Sequence, residues 1–472
     1  MITAMVVIFL IGYVMIAMEH SVRINKSATA IALGVVLWTM YVFLGDAQIV
    51  EINRGSFDFF LRLHPELAQS PLSEQVSRFV GNYQILEHLG EVASILFFLL
   101  CAMTIVELID AHGGFAIITN RITTSNKRRL LWIVAALSFF LSSVLDNLTT
   151  AIVMVMLIRK LLSERRDRWI FGGIVVIACN SGGAWSPIGD ITTIMLWINE
   201  NVTSAKLLER CFLPSLVSML VPLVLLTYKI KGEAVPNEAE AYDEAEHSLP
   251  FKFRLMIFIF GVGGLIFVPI FKSITHLPPF MGILLSLGML WIFSEVMYNM
   301  FKRAVSHGMR RIPFILTRID MPTILFFLGI LMAVAALQCV GVLHSAAAFL
   351  DREFHNTYII NTVIGLLSSV FDNVPLVAAA MGMYPIATPD MIASAANPEY
   401  MAHFVRDGTF WQLLAFCAGT GGSILIIGSA AGVVVMGLEK IDFVWYVKNI
   451  TLVALLGFFA RVGTFMLQIW LF

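Results

Sequence analysis

The sequence predicts an all-α integral membrane protein built from two inverted-topology repeats, each with a re-entrant helical hairpin and a broken transmembrane helix. Three observations predict it: an apolar composition, an alternation of basic and base-poor connections, and polar motifs that recur in the same order in both halves. Hydrophobic residues make up 58% of the 472 and charged residues 13%, with a mean hydropathy of +0.85, more apolar than a soluble core of this size requires. The formal net charge of −1 offers nothing to nucleic acid or to an acidic partner, and the apolar composition makes membrane lipid an expected partner. The five cysteines, Cys101, Cys179, Cys211, Cys339 and Cys417, form no Cys-x-x-Cys pair and read as small core residues.

A hydrocarbon layer about 30 Å thick takes roughly 20 apolar residues per helix. Segments of that kind run 1–18, 28–44, 85–109, 169–198, 207–228, 255–271, 280–300, 321–343, 410–438 and 443–472. The first lacks a basic leader and a cleavage site and is expected to stay as a span. Stretches 130–158 and 358–383 are each interrupted by Asp-Asn, which leaves arms expected to be too short to cross.

Orientation follows from lysine and arginine, because basic loops stay in the cytoplasm. The connections with Arg23, Arg121, Lys127, Arg159, Arg168, Lys229, Lys302, Arg303, Arg310, Arg318 and Lys440 belong to a set holding 21 basic residues, against eight in the alternate set. The richer set is placed inside and the N-terminus outside, in a multi-pass protein of the cytoplasmic (inner) membrane. Both flanks of 130–158 are basic, so it is expected to enter and leave from the cytoplasm; 358–383, with base-poor flanks, is expected to open from the other face. Opposite entry sides are what an inverted repeat produces.

The repeat is visible in the residues. Phe97-Phe98-Leu99 returns as Phe326-Phe327-Leu328, Ser142 to Asn147 returns as Ser368 to Asn373 with one Leu/Phe change, and Gly182-Gly183 returns as Gly421-Gly422, at offsets of 229, 226 and 239 residues. The expected organisation is a first repeat over 1–230 (hairpin about 130–158, broken helix about 169–198), an acidic cytoplasmic linker over 231–252, and a second repeat over 253–472 (hairpin about 358–383, broken helix about 410–438).

Non-helical backbone at membrane depth survives where protein or water satisfies its polar groups, so such breaks line sites. Here Gly-Gly and Pro break the helices, and freed carbonyls with Asn147, Thr149, Asn180, Ser181, Ser369, Asn373 and Thr420 offer neutral oxygens. Asp146, Asp190 and Asp372 supply negative charge, and no lysine or arginine lies near any tip or break along the chain. A hard cation such as sodium wants an all-oxygen shell, and a carboxylate at the bilayer centre costs about 2.5–3.5 kcal/mol, which argues against idle aspartates. The plainer alternative is that Asp146, Asp190 and Asp372 only cap the helical arms that follow them, and that the serines and threonines bond back to their own helices. His88 and Glu91, near the start of the third span, and Glu107, near its other end, are candidates for pH sensing, since imidazole titrates near neutrality; interfacial polar residues are the alternative for the first two.

At these residues, Ser142 to Thr150, Asn180 to Thr193 and Asp372-Asn373-Val374-Pro375, the chain resembles the NhaD-type sodium/proton antiporters of the ion transporter superfamily, over nearly its whole length. In the related divalent-anion/sodium symporters the hairpin tips read Ser-Asn-Thr and sodium sits between tip and broken helix in a homodimer. The resemblance therefore implies a homodimer, exchange of Na+ or Li+ for H+, and ion or proton binding at Asp146, Asn147, Thr149, Asn180, Asp190, Ser369, Asp372 and Asn373, with the metal ion at Asp146, Asn147, Asn180, Asp372 and Asn373. Asp146 and Asp372 replace the symporters' neutral serine, which favours competition between cation and proton. No cofactor beyond the transported ions and no enzymatic activity is expected. The nearest alternative is an anion or metalloid permease of the same superfamily, carrying arsenite or a carboxylate. Gly189-Asp190 also matches the end of an intramembrane protease motif, but residue 187 is proline and no Tyr-Asp lies in a span.

Overall fold

The computed structural model describes residues 1–17, 19, 23–115, 117, 122, 124–235, 250–300, 311–370 and 372–471. Most of the expected acidic linker (236–249), the basic residues Arg121, Lys302, Arg303 and Arg310, Phe371 of the repeated motif, and the span ends Met18 and Phe472 lie outside the described residues. The described regular structure is helical, apart from an isolated bridge between Asn126 and Glu233.

In chain order the principal helices are α1 (Ile2–Ala17), α2 (Lys26–Val42), α3 (Asp46–Ile52), α4 (Arg54–Leu63), α5 (Leu72–Arg78), α6 (Ile85–Ala111), α7 (Lys127–Leu145), α8 (Asn147–Leu161), α9 (Arg165–Gly183), α10 (Ile191–Ile198), α11 (Ser204–Lys229), α12 (Phe251–Thr275) and α13 (Pro279–Met300). They continue as α14 (Met321–Cys339), α15 (Val342–Phe354), α16 (Thr357–Leu367), α17 (Asn373–Met383), α18 (Thr409–Gly421), α19 (Ala430–Glu439) and α20 (Leu452–Leu471). Among the described residues seven helices are long and apolar enough to cross a membrane, and an eighth span arises if α2 and α3, bent by 104°, are counted as one. Large apolar side chains such as Ile259, Ile270, Leu285 and Ile292 are exposed along α12 and α13, a surface that suits lipid and not water. The chain is a multi-pass membrane protein.

The expected spans 169–198 and 410–438 are each divided, by the non-helical stretches 184–190 and 422–429. The 358–383 stretch has the expected short arms of 11 residues each. The 130–158 stretch differs: α7 has 19 residues, about 28 Å at 1.5 Å per residue, long enough to cross by itself. It gains length because Asn126, whose side-chain oxygen accepts from the Arg128 and Arg129 amides, caps it earlier than the apolar run begins. The 321–343 span stops at Cys339 because Gly341 turns the chain with φ of +74°, and α15 follows in a new direction.

The chain forms two compact units. The first comprises Met1–Phe97, Asp320–Asn356 and Val374–Pro385. Its centre is the pairing of α2 with α14, which small residues make close: a Cβ added at Gly34 would lie 2.8 Å from Gly329 O, and one at Gly329 would lie 2.6 Å from Ala30 O. Ser27 Oγ donates to Pro322 O (2.6 Å) and Trp38 Nε1 to Met332 O (2.9 Å). A buried polar network of Tyr41, Gln84 and Asn53 closes one end, where Asn53 Nδ2 donates to Cys339 O.

The second unit comprises Phe98–Ile319, Thr357–Asn373 and Ile386–Phe472. Its core is α9, every residue of which from Phe171 to Gly183 is buried, packed among α7, α8, α11, α18 and α19. The start of the linker crosses the ends of α7 and α8 as a short strap. Lys127 N donates to Gly232 O (3.2 Å), Ala234 N to Ser125 O (2.6 Å) and Ser163 N to Val235 O (2.9 Å). At the end of α19 the buried Glu439 accepts from Arg159 Nε (2.7 Å) and Arg168 Nε (2.9 Å). Arg159 Nη2 also donates to Leu438 O and Trp169 Nε1 to Glu439 O, so orphan carbonyls of that helix end find donors.

Candidate functional site

Two contact sets of the same form frame the site. In the first, Ser142 Oγ, near the end of α7, donates to Cys179 O in the last turns of α9 (2.6 Å). In the second, Ser368 Oγ, just past α16, donates to Ala418 O in α18 (2.6 Å). The glycines pack alike. A Cβ on Gly182 would collide with Phe139 O and lie 2.8 Å from Phe139 C, and one on Gly421 would collide with Gly365 O and lie 2.7 Å from Gly365 C. A Cβ on Gly189 would lie 2.6 Å from Ser142 O, and one on Gly428 would lie 2.7 Å from Ser368 O. These are the 226- and 239-residue offsets read from the sequence. Glycine is needed at each position because one backbone rests directly on another.

Asp146 lies between α7 and α8 with φ of +96° and ψ of 158°, a region that side chains other than glycine avoid. That conformation turns its carboxylate onto the start of α8, where Oδ1 accepts from Thr149 N (2.7 Å) and Oδ2 from Thr149 Oγ1 (2.9 Å). Asp190 caps α10 in the same manner: Oδ1 accepts from Thr192 N and Thr192 Oγ1, both at 3.0 Å. Capping is thus part of the role of both aspartates. Asp190 does more, since its Oδ2 accepts from Asn147 Nδ2 (2.9 Å), which also donates to Asn180 Oδ1 (3.0 Å). Asn180 Nδ2 in turn donates to Ser423 Oγ and Ser429 Oγ, each at 2.9 Å. The result is an unbroken buried chain, Asp190–Asn147–Asn180–Ser423/Ser429, that ties the tip between α7 and α8 to both broken helices.

Asp146 and Asp190 are within electrostatic reach of one another, as are Asp190 and Asp372. Asn373 is buried beside Asp372. The other predicted residues stand apart from the chain of amides. Ser181 Oγ donates to Ser218 Oγ (3.1 Å), while Ser369 Oγ and Thr420 Oγ1 donate back to Leu366 O and Phe416 O of their own segments. His88 lies in the first unit, with Nδ1 3.4 Å from Glu91 Oε2 and Nε2 3.4 Å from Cys339 Sγ. Glu107 pairs with Arg318 (2.8 Å).

Three residues of the site escape sequence reasoning in different ways. Ser429 sits 239 residues after Asp190 and was legible from the repeat offset. Ser218 carries no signal, being one of three serines in the apolar helix α11. Arg461 corrects the expectation that no basic residue lies near the breaks: it belongs to α20, is fully buried, and is within electrostatic reach of Asp190. Distance along the chain hid it.

Chemically, the cluster offers carboxylate, amide, hydroxyl and freed backbone oxygens, the donor set of a hard cation. No group of three or more His, Cys, Asp or Glu converges on a common metal position among the described residues, so a cation here would draw largely on neutral oxygens.

The citrate transporter (CitMHS) family model matches residues 3–405. Sodium/proton antiporter 1 of Arabidopsis thaliana is 42% identical over 466 residues, 98% of this chain and 72% of that protein. Sodium/proton antiporter 2 of the same plant is 41% identical over 98% of both chains. The Na(+)/H(+) antiporter NhaD of Vibrio cholerae is 31% identical over 96% of this chain and 89% of its own. With that coverage, and with a resemblance that runs through both broken helices, the chain belongs to the NhaD-type sodium/proton antiporter group within the citrate transporter family.

Proposed function

We propose that the protein exchanges sodium or lithium for protons across the cytoplasmic membrane, exporting sodium and adjusting internal pH. The observation that carries this reading is the buried Asp190–Asn147–Asn180 chain with Asp146 and Asp372 each in electrostatic range of Asp190. Carboxylates placed at broken helices favour cations over anions. Sodium binds when Asp146 and Asp372 are ionised, and protons arriving from the other side displace it. The alternative of anion or metalloid transport, which the family description itself raises, is disfavoured by the aspartates at the breaks, against which the described residues set one buried arginine, Arg461.

The inverted-repeat architecture belongs to the same proposal. The duplicated serine and glycine contacts at constant offsets support the repeat. The strap of residues 232–235, bonded next to the start of α7 and just beyond the end of α8, supports a hairpin whose two ends share the cytoplasmic face. On this reading α7–α8 and α16–α17 are the re-entrant elements, the N-terminus is outside, and alternating access moves the hairpin-bearing elements against the remaining spans. A homodimer, with lipid and small cations as its other partners and no cofactor, completes the proposal; His88 and Glu91 are kept as pH-sensing candidates.

The test is sodium- and lithium-dependent proton movement in everted vesicles with no organic anion present. Wild-type protein should release protons on addition of either cation, and Asp146→Asn and Asp372→Asn should each abolish the response. Near-normal exchange in both variants refutes the shared-carboxylate mechanism.

A further inference from the structure

Arg461 is a full positive charge placed where a membrane protein tolerates one poorly. Its side chain is wholly buried. Nη2 donates to Ser215 Oγ of α11 (2.8 Å), and the guanidinium lies over the Phe416 ring of α18, 4.3 Å from the centroid. Nε and Nη1 have no hydrogen-bond partner among the described residues. One neutral hydroxyl and one aromatic face do not compensate a buried guanidinium, so the compensating charge has to be sought within electrostatic range. Among the described residues the ionisable groups in that range are the thiols of Cys211 and Cys417 and the carboxylate of Asp190, and of these side-chain types a carboxylate is the one that is ordinarily an anion near neutral pH.

Geometry brings the two charges onto one surface. Asp190 Oδ2 rests against Gly419 of α18, 3.2 Å from where a Cβ would sit, and Arg461 rests on Phe416 of the same helix. Residues three apart share a helix face and are separated by about 4.5 Å along the axis. Both charged groups therefore rest against the same turn of α18 without a direct ion pair between them, and Ser215 with Phe416 holds the guanidinium in place.

We propose that Arg461 is the resident counter-cation of the carboxylate cluster, a positioning residue that offsets Asp190 throughout the cycle and leaves Asp146 and Asp372 as the pair over which cation and proton compete. It acts on the ions through the charge of the cluster and contacts neither ion. The inference rests on the exchange reading above. Removing the charge leaves the cluster more negative, so protons are held to higher pH and sodium displaces them only in more alkaline medium.

Purified wild-type, Arg461→Lys and Arg461→Gln proteins in liposomes, with sodium-driven proton release followed from neutral to alkaline pH, test this. Arg461→Gln should move the midpoint of activity by about one pH unit to the alkaline side, the size expected of a unit charge at short range in a protein interior. Arg461→Lys, which keeps the charge, should stay within about 0.3 unit of wild type. Loss of turnover in both variants with unmoved midpoints would overturn the proposal, since that is how a merely structural arginine behaves. If Arg461→Gln does not accumulate in the membrane, Asp190→Asn is added to it: recovery of protein supports the charge pairing, and no recovery overturns it. Absence of exchange by the wild-type protein would instead refute the functional reading itself.

Discussion

Replacing Gly421 by alanine tests whether the two backbones at the second break really touch. The added methyl would collide with Gly365 O and lie 2.7 Å from Gly365 C, against an ordinary carbon–carbon contact of about 3.5–4.0 Å. Relief requires α18 and α16 to part by roughly 1 Å, because the obstacle is backbone and has no rotamer to change. Overpacking of this kind costs about 1–3 kcal/mol, while alanine gains about 1 kcal/mol of helix propensity over glycine, so any loss has a steric cause. A binding constellation tolerates displacements of about 0.5 Å. Ser423, which accepts from Asn180, lies two residues beyond Gly421, and a 1 Å shift there should raise the half-saturating sodium concentration at least about tenfold, equivalent to 1.4 kcal/mol. Sodium titrations of proton release in everted vesicles, normalised to protein in the membrane, measure it. Gly263→Ala is the control, since nothing lies within 4 Å of its added Cβ, and it should match wild type. Wild-type sodium dependence in Gly421→Ala would show that the close approach is not required and would remove the packing argument for both breaks.

Two further outcomes follow from other observations. Asp146→Gly removes the carboxylate but suits the backbone, whose φ of +96° favours glycine; protein should accumulate at wild-type levels or better while sodium-dependent proton release disappears, whereas retained exchange would reduce Asp146 to a cap. Glu439→Gln leaves Arg159 and Arg168 facing a neutral amide, and breaking a buried pair at one partner costs about 3 kcal/mol at the low end, so thermal unfolding of the purified protein in detergent should come several degrees earlier; an unchanged midpoint would show that the arginines are satisfied by water.

Much of the site was legible because membrane burial makes polar residues conspicuous. Asp-Asn and Gly-Gly interrupt apolar runs, and the structure places breaks at each of those positions. What was not legible depended on relations in space. The length of α7 was missed because a cap at Asn126 adds a polar, basic first turn to the apolar run. The short helices α3 to α5 and α15 lie among polar residues where no membrane-length run marks them. Composition cannot separate a hydroxyl that binds an ion from one that bonds back along its own segment, as Ser369 and Thr420 do with Leu366 O and Phe416 O. Arg461 gave no local signal at all, since a single arginine in α20 looks the same whether it faces lipid headgroups or a carboxylate cluster.

The proposed duplication builds a scaffold twice and a site once. Contacts that need only a small residue and a carbonyl recur at both breaks, from Ser142 with Cys179 to Ser368 with Ala418. Asp146-Asn147 also recurs, as Asp372-Asn373, but the charged and amide groups of the broken helix do not: the offset of 239 carries Asn180 to Gly419 and Asp190 to Ser429. That asymmetry has a steric reason. Asp190 Oδ2 sits 3.2 Å from where a Cβ on Gly419 would be, so a second asparagine there would press on the carboxylate, while at 429 the Ser429 hydroxyl already accepts from the Asn180 amide without adding charge. Two identical breaks would crowd each other and double the buried charge. One polar break reaching across to a small, neutral one links Asp190, Asn180, Ser423 and Ser429 in one hydrogen-bonded chain, the arrangement on which the proposed competition between a cation and protons would draw.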